Sequence, residues 1–67
     1  MISVNGESRA LPDPATVGAL LDDLGLEAGR RGIAVAVDAE VVPRTTWDAH
    51  ELRDGDQVEV LTAIQGG

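Results

Sequence analysis

The sequence predicts a small α+β domain, a mixed sheet of four to five strands with one main helix on one face. Three observations lead there. A hairpin signal opens the chain, one amphipathic helical stretch follows, and alternating apolar runs at 33–37 and 57–62 supply further strands. The chain has 67 residues, enough for one domain with a thin core, since chains this short bury only about 60% of their unfolded surface. It has no cysteine and one histidine, so disulfides and zinc do not staple it.

Ile2-Ser3-Val4, Asn5-Gly6 and Glu7 to Leu11 read as strand, turn and strand. Asn-Gly tolerates the positive φ angles of a type I′ turn, whose twist matches the strands it joins. Pro12-Asp13-Pro14 ends the second strand, because proline cannot donate to a ladder. Thr16 is a good N-cap, and Val17, Leu20, Leu21 and Leu24 follow at helical spacing. Gly18 weakens this helix slightly, and Asp22 and Asp23 fall on its outer face. Gly25 supplies a left-handed C-terminal cap, with Leu26 placed to fold back on the helix.

Gly29-Arg30-Arg31-Gly32 is a polar connector. Ile33 to Val37 then alternates large and small apolar groups, as a central strand covered on one face does. Asp38-Ala39-Glu40 turns the chain into Val41-Val42, and Pro43 closes that strand. Leu52 to Asp56 makes a tight turn, and Gln57 to Thr62 alternates again with Val58 and Val60 on one face. Strand, strand, helix, strand, short strand, strand is the order of a β-grasp, or ubiquitin-like, domain. Residues 1–62 make that domain and 63–67 a flexible tail, Ala63-Ile64-Gln65-Gly66-Gly67.

Charge narrows the partners. Twelve acidic residues stand against five basic ones, all arginine, for a net charge of −7. That balance repels phosphate backbones and anionic membranes, so nucleic acid and membrane are not expected partners. It suits a basic protein surface, and it is also a generic aid to solubility. No basic-then-apolar leader and no span-length apolar run occurs, so a cytoplasmic protein is expected.

The Gly66-Gly67 ending is the candidate for chemistry. Glycine is mobile and has no side-chain bulk, so a narrow channel admits a Gly-Gly stem where side chains would clash. Five extended residues reach roughly 16 Å. A carboxylate is itself unreactive, because its oxygen is a poor leaving group; adenylation makes it a mixed anhydride open to sulfur or nitrogen nucleophiles. A Gly-Gly end alone is also what a frayed terminus looks like. Its place directly after the last strand of a β-grasp gives it weight.

Val41-Val42-Pro43-Arg44-Thr45-Thr46-Trp47, then Leu52 to Val60 around Asp54-Gly55-Asp56, then Thr62-Ala63-Ile64-Gln65-Gly66-Gly67 closely resemble the ThiS family, the sulfur carriers of thiamine (thiazole) biosynthesis. Val4-Asn5-Gly6-Glu7 and the start of the helix resemble it too, so the likeness covers essentially the whole chain. Asp38 departs from the asparagine such proteins often carry there. The resemblance implies that a ubiquitin-activating-like adenylyltransferase uses ATP-Mg to adenylate the Gly67 carboxylate. Sulfur, from a cysteine desulfurase or rhodanese-type donor, then displaces AMP to leave a thiocarboxylate, and thiazole synthase takes that sulfur. The carrier binds no cofactor and is not an enzyme. Lacking lysine and cysteine, the chain has no side-chain amine or thiol to capture its own activated end, though an arginine-preferring composition explains that equally.

Other features read more plainly. Asp54-Gly55-Asp56 lacks the further ligands of a calcium loop and is a turn. His50 has no nucleophile or carboxylate constellation and is taken as a surface residue. Trp47 caps the thin core rather than marking an interface. By strand alternation Leu61, Ala34 and Ala36 share the open sheet face as a shallow apolar patch, a candidate partner-binding surface leading to Ile64, Gln65 and the Gly-Gly end. Three alternatives stay open: a molybdopterin-pathway sulfur carrier, a protein modifier ending on lysine, and a non-covalent β-grasp interaction module that would keep its function without Gly67.

Overall fold

In the computed structural model, residues 1–26 and 32–62 are described. They form strands β1 (Ile2–Val4), β2 (Glu7–Arg9), β3 (Ile33–Val37), β4 (Glu40–Val41) and β5 (Gln57–Thr62), helix α1 (Val17–Asp23) and a 3₁₀ turn at Arg44–Thr46. The sheet order is β2-β1-β5-β3-β4. β1 and β5 run parallel at its centre, and every other neighbouring pair is antiparallel. A hairpin on each side of a central last strand, with the helix in the connection between them, is the β-grasp arrangement expected from the sequence.

The first turn is as its sequence dictates: Asn5 and Gly6 have φ of 51° and 86°, the left-handed pair of a type I′ turn. β2 is shorter than the expected Glu7 to Leu11. Ile2 pairs with Arg9, and β1 starts there, so Ala10 and Leu11 have no β1 residue left to face. The second hairpin turns at Asp38-Ala39, φ 52° and 72°, rather than over three residues. The turn therefore closes one residue early, and β4 begins at Glu40. Val42 leaves the expected strand, although its N–H still donates to the Val35 carbonyl (2.8 Å).

Every early N–H of α1 has a partner. Val17 donates to the His50 carbonyl (3.0 Å), Gly18 to the Trp47 carbonyl (2.9 Å) and Leu20 to the Thr16 carbonyl (3.0 Å). Ala19 donates to Thr16 Oγ1 (3.1 Å). Thr16 thus caps as expected, while the 47–52 stretch lies across the helix start and accepts from donors that helices leave orphaned. At the other end Leu26 N–H reaches the Leu21 carbonyl (2.9 Å) and Gly25 N–H the Asp22 carbonyl (3.0 Å). With Gly25 at φ 77°, that is a Schellman cap, and Leu26 folds back against the core.

The core lies between α1 and one face of the sheet. Ile2, Val4, Val35, Val37, Val58 and Val60 meet Val17, Leu20 and Leu21 there, with Val42, Trp47 and Leu52. Trp47 is 2% exposed and its indole Nε1–H donates to the Val42 carbonyl (2.9 Å). It is an inner member of the core rather than a lid in a loop. Among the described residues no polar or charged residue is fully buried, so the acidic excess stays in water. Among them, too, no helix is long and apolar enough to cross a membrane. The expected connector at 29–31 lies outside the described residues.

Two substitutions test this account through urea or thermal unfolding, followed by the fluorescence of the single tryptophan. Ala39→Gly should stabilise by about 0.5–1 kcal/mol, because an L-residue at positive φ carries strain that glycine does not. Gly18→Ala should destabilise by about 1–3 kcal/mol despite its better helix propensity. A Cβ there would overlap Asp48 Oδ1 and sit 3.3 Å from Asp48 Cα. A neutral or stabilising Gly18→Ala would refute the close approach of Asp48 to the helix.

Candidate functional site

β5 carries the chain towards its candidate reactive end, so its anchorage defines the site. Its main-chain partners on the β1 side run out early. β1 ends at Val4, which pairs with Val58, and Asn5 N–H donates to the Val58 carbonyl (2.9 Å). Beyond that point the Asn5 side chain takes over. Its Nδ2 donates to the Val60 carbonyl (3.0 Å), and its Oδ1 accepts from Val60 N–H (2.8 Å). A carboxamide has the donor and acceptor of a peptide unit, so Asn5 extends the parallel ladder by side chain where the backbone turns away.

The other side repeats the device. Asp38 N–H donates to the Gln57 carbonyl (2.7 Å), and Asp38 Oδ1 accepts from Gln57 N–H (2.9 Å). The aspartate that departs from the usual asparagine therefore performs an acceptor role open to either residue. Asn5 and Asp38 each occupy the first position of a left-handed hairpin turn, and together they hold β5 near both ends.

The start of β5 is tied to the N-terminus. Gly55 N–H donates to the Met1 carbonyl (2.8 Å), and the Met1 ammonium pairs with exposed Asp54. Asp56 Oδ2 accepts from Arg53 N–H (2.9 Å), closing the turn. Asp54-Gly55-Asp56 thus spends its polar groups locally, as the turn reading required. His50 is half-buried rather than a plain surface residue, because its carbonyl receives the first N–H of α1. Among the described residues no group of three or more His, Asp or Glu is placed to hold a metal ion.

On the open face Leu61 stands directly opposite Ala34 in the β3–β5 register, and Ala36 lies two pairs further along, opposite Glu59. Leu61 is 67% exposed, Ala34 exposed and Ala36 half-buried. Sequence reasoning missed Val41, which pairs with Ala36 and is 77% exposed. Two adjacent valines do not say which of them faces the core; the structure buries Val42, so its strand neighbour points the other way. Glu59, opposite Ala36, is exposed and borders the patch with negative charge. Ile64, Gln65, Gly66 and Gly67, with the whole tail expected at 63–67, lie outside the described residues. In the described part the apolar patch runs from Val41 and Ala36, level with Glu59, to Ala34 and Leu61 near the end of β5.

The fold and this arrangement define a ubiquitin-like β-grasp domain. Comparison with known proteins narrows that class. The ThiS family profile matches residues 2–67, and the chain belongs to the ThiS family. It is 38% identical to the sulfur carrier protein ThiS of Escherichia coli, over 98% of this chain and 97% of that one. A crystal structure of the thiamine biosynthesis protein ThiS from Geobacter metallireducens superposes with a TM-score of 0.74 at 36% identity, over 98% of this chain and 97% of that one. A thiazole synthase of Paramagnetospirillum magneticum is 38% identical over 96% of this chain, which spans only 19% of that relative's length.

Replacing Asn5 by alanine removes both hydrogen bonds to Val60 and should cost about 1–2 kcal/mol. Hydrogen exchange should show the loss as faster exchange of the Val60 amide. Unchanged exchange there would mean that Asn5 does not hold β5.

Proposed function

We propose that this chain is a sulfur carrier that works through the carboxylate of Gly67 and delivers sulfur for the thiazole ring of thiamine. The observation that carries this reading is the match with a sulfur carrier protein over 98% of this chain and 97% of that one. The Gly67 carboxylate attacks the α-phosphorus of ATP-Mg in a partner adenylyltransferase, and pyrophosphate leaves. The terminal sulfur of a donor persulfide then attacks the acyl carbon, the C–O bond to AMP breaks, and a thiol reductant cleaves the S–S bond of the resulting acyl disulfide, leaving a terminal thiocarboxylate and a disulfide. Thiazole synthase accepts that sulfur, and the carboxylate form returns to the cycle. Dependence on ATP sets the work in an ATP-containing compartment, with the cytoplasm as the proposed location.

On this reading the domain is a handle and not a catalyst. Leu61, Ala34 and Ala36, joined by Val41, offer the partner an apolar surface, and Gln65 and Ile64 form the stem that follows Gly66 and Gly67 into its active site. The likeness to a much longer thiazole synthase supports the pairing of carrier and synthase, since a carrier-like stretch within such a protein would keep donor and acceptor together.

Intact mass tests the chemistry. Incubation with ATP, magnesium, a thiamine-pathway adenylyltransferase and a sulfur donor should exchange one oxygen for sulfur, a gain of about 16 Da at the C-terminus. The chain lacking Gly67 should gain nothing. An unchanged mass with an enzyme that loads a known carrier would sink the proposal. Leu61→Asp tests the handle. Exposed, it should alter stability by no more than about 0.5 kcal/mol, yet it should slow loading by about tenfold or more, as loss of an interface anchor does. Loading at the unaltered rate would remove Leu61 from the docking surface.

A further inference from the structure

We infer that Asn5 is a deamidation site closed by the fold, and that its modification releases β5 from the side chain that anchors it. The chemistry needs an asparagine followed by a residue whose amide nitrogen is unhindered. Asn5 is the chain's one asparagine and Gly6 follows it. A Cβ at Gly6 would meet nothing within 4 Å, and Asn5 itself lies at an exposed turn, so water and base have access. In the reaction Gly6 N, losing its proton to base, bonds to Asn5 Cγ, and the Cγ–Nδ2 bond breaks to release ammonia. Water then opens the resulting succinimide at either carbonyl, giving aspartate or isoaspartate.

The folded chain opposes the first step. The carboxamide that must swing onto Gly6 N is held at both atoms by Val60, at 2.8 and 3.0 Å. The turn backbone is itself fixed, with Asn5 N–H on the Val58 carbonyl. Cyclisation therefore waits for the carboxamide to leave β5, and its rate follows the open fraction. Once formed, either product damages the clamp. Aspartate loses the Nδ2 donor and sets a carboxylate against the Val60 carbonyl, while isoaspartate adds a methylene to the main chain inside a two-residue turn. The residue that extends the ladder is thus also the one whose ageing opens it, at the strand that leads to the C-terminus.

Trypsin cuts after Arg9, so the peptide 1–9 isolates this residue. The whole protein is held in mildly alkaline buffer, native and in concentrated urea, and the peptide is followed for a gain of about 1 Da and for isoaspartate. Native protein should convert at least about tenfold more slowly than unfolded protein. Equal rates would overturn the protection. Asn5→Asp, the direct product, should melt lower than the parent at neutral pH and exchange its Val60 amide faster. That deficit should narrow below about pH 4, where the carboxyl is protonated and can again donate to the Val60 carbonyl. An Asn5→Asp chain with the parent's melting temperature and Val60 protection would overturn the coupling. Should that variant not fold, the native-against-urea comparison on the parent still decides.

Discussion

The structure depends on how a six-residue strand is held between two shorter ones. β5 runs from Gln57 to Thr62, while β1 spans three residues and pairs through Ser3 and Val4. A parallel pairing that stopped there would leave Val60's N–H and carbonyl without main-chain partners beside a thin core, and an unmade bond in such a place costs about 1–3 kcal/mol. Asn5 supplies both partners from one side chain. It can do so because it sits in the left-handed conformation at the first position of the turn, which sends the main chain towards β2 and leaves its carboxamide beside β5. The residue that makes the turn possible is therefore also the residue that completes the ladder.

Asp38 shows that this is a property of the architecture rather than of one contact. Each hairpin places its first turn residue beside β5, Asn5 on the parallel side and Asp38 on the antiparallel side. The requirements differ. Val60 needs a donor and an acceptor, which the carboxamide provides on two separate atoms spaced as in a peptide unit. Gln57 needs an acceptor alone, because the Asp38 backbone N–H already serves its carbonyl. Hence an aspartate is adequate at 38 and would be poor at 5. The segment from Trp47 to Leu52 follows the same economy at the helix. Its carbonyls meet the open N–H groups of α1 while its indole and Leu52 fill the core, so a seven-residue helix is fastened at its start by hydrogen bonding as well as by packing.

Much of this was legible in the chain. Asn5-Gly6, the Thr16 cap, the Gly25 ending and the alternation at 33–37 and 57–62 are local signals, and each marks its element because its physics is local. The misreadings share a cause. The end of β2 is set by where β1 begins, and the Asp38-Ala39 turn by a strained alanine that no glycine rule anticipates. Trp47 was placed over the core because its neighbours look like a loop, whereas its burial follows from its segment docking on the helix. Asn5's second role spans 55 positions of sequence, so nothing near it announces the contact. Of the candidate site, the open-face pattern of Leu61, Ala34 and Ala36 followed from alternation. Val41 escaped because two adjacent valines give no alternation to read.

Placing the patch beside the end of β5 has a consequence for how a carrier can work. A partner that grips Leu61, Ala34, Ala36 and Val41 already holds the point from which the last five residues begin, and those residues span at most roughly 16 Å. Entry of the tail is then an intramolecular step at high effective concentration, so neither contact has to be strong alone. Weakness is useful here. A carrier must leave its activating enzyme to reach the acceptor, and a patch of one leucine, one valine and two alanines has little area with which to delay it. A rigid β5 is what makes the coupling efficient. Were the strand free to peel from β1 beyond Val58, the patch would hold Leu61 without fixing where the tail departs, and tethering would lose its advantage. On the proposed reading, the clamp on Val60 connects a turn at the beginning of the chain to the strand from which the tail would be delivered.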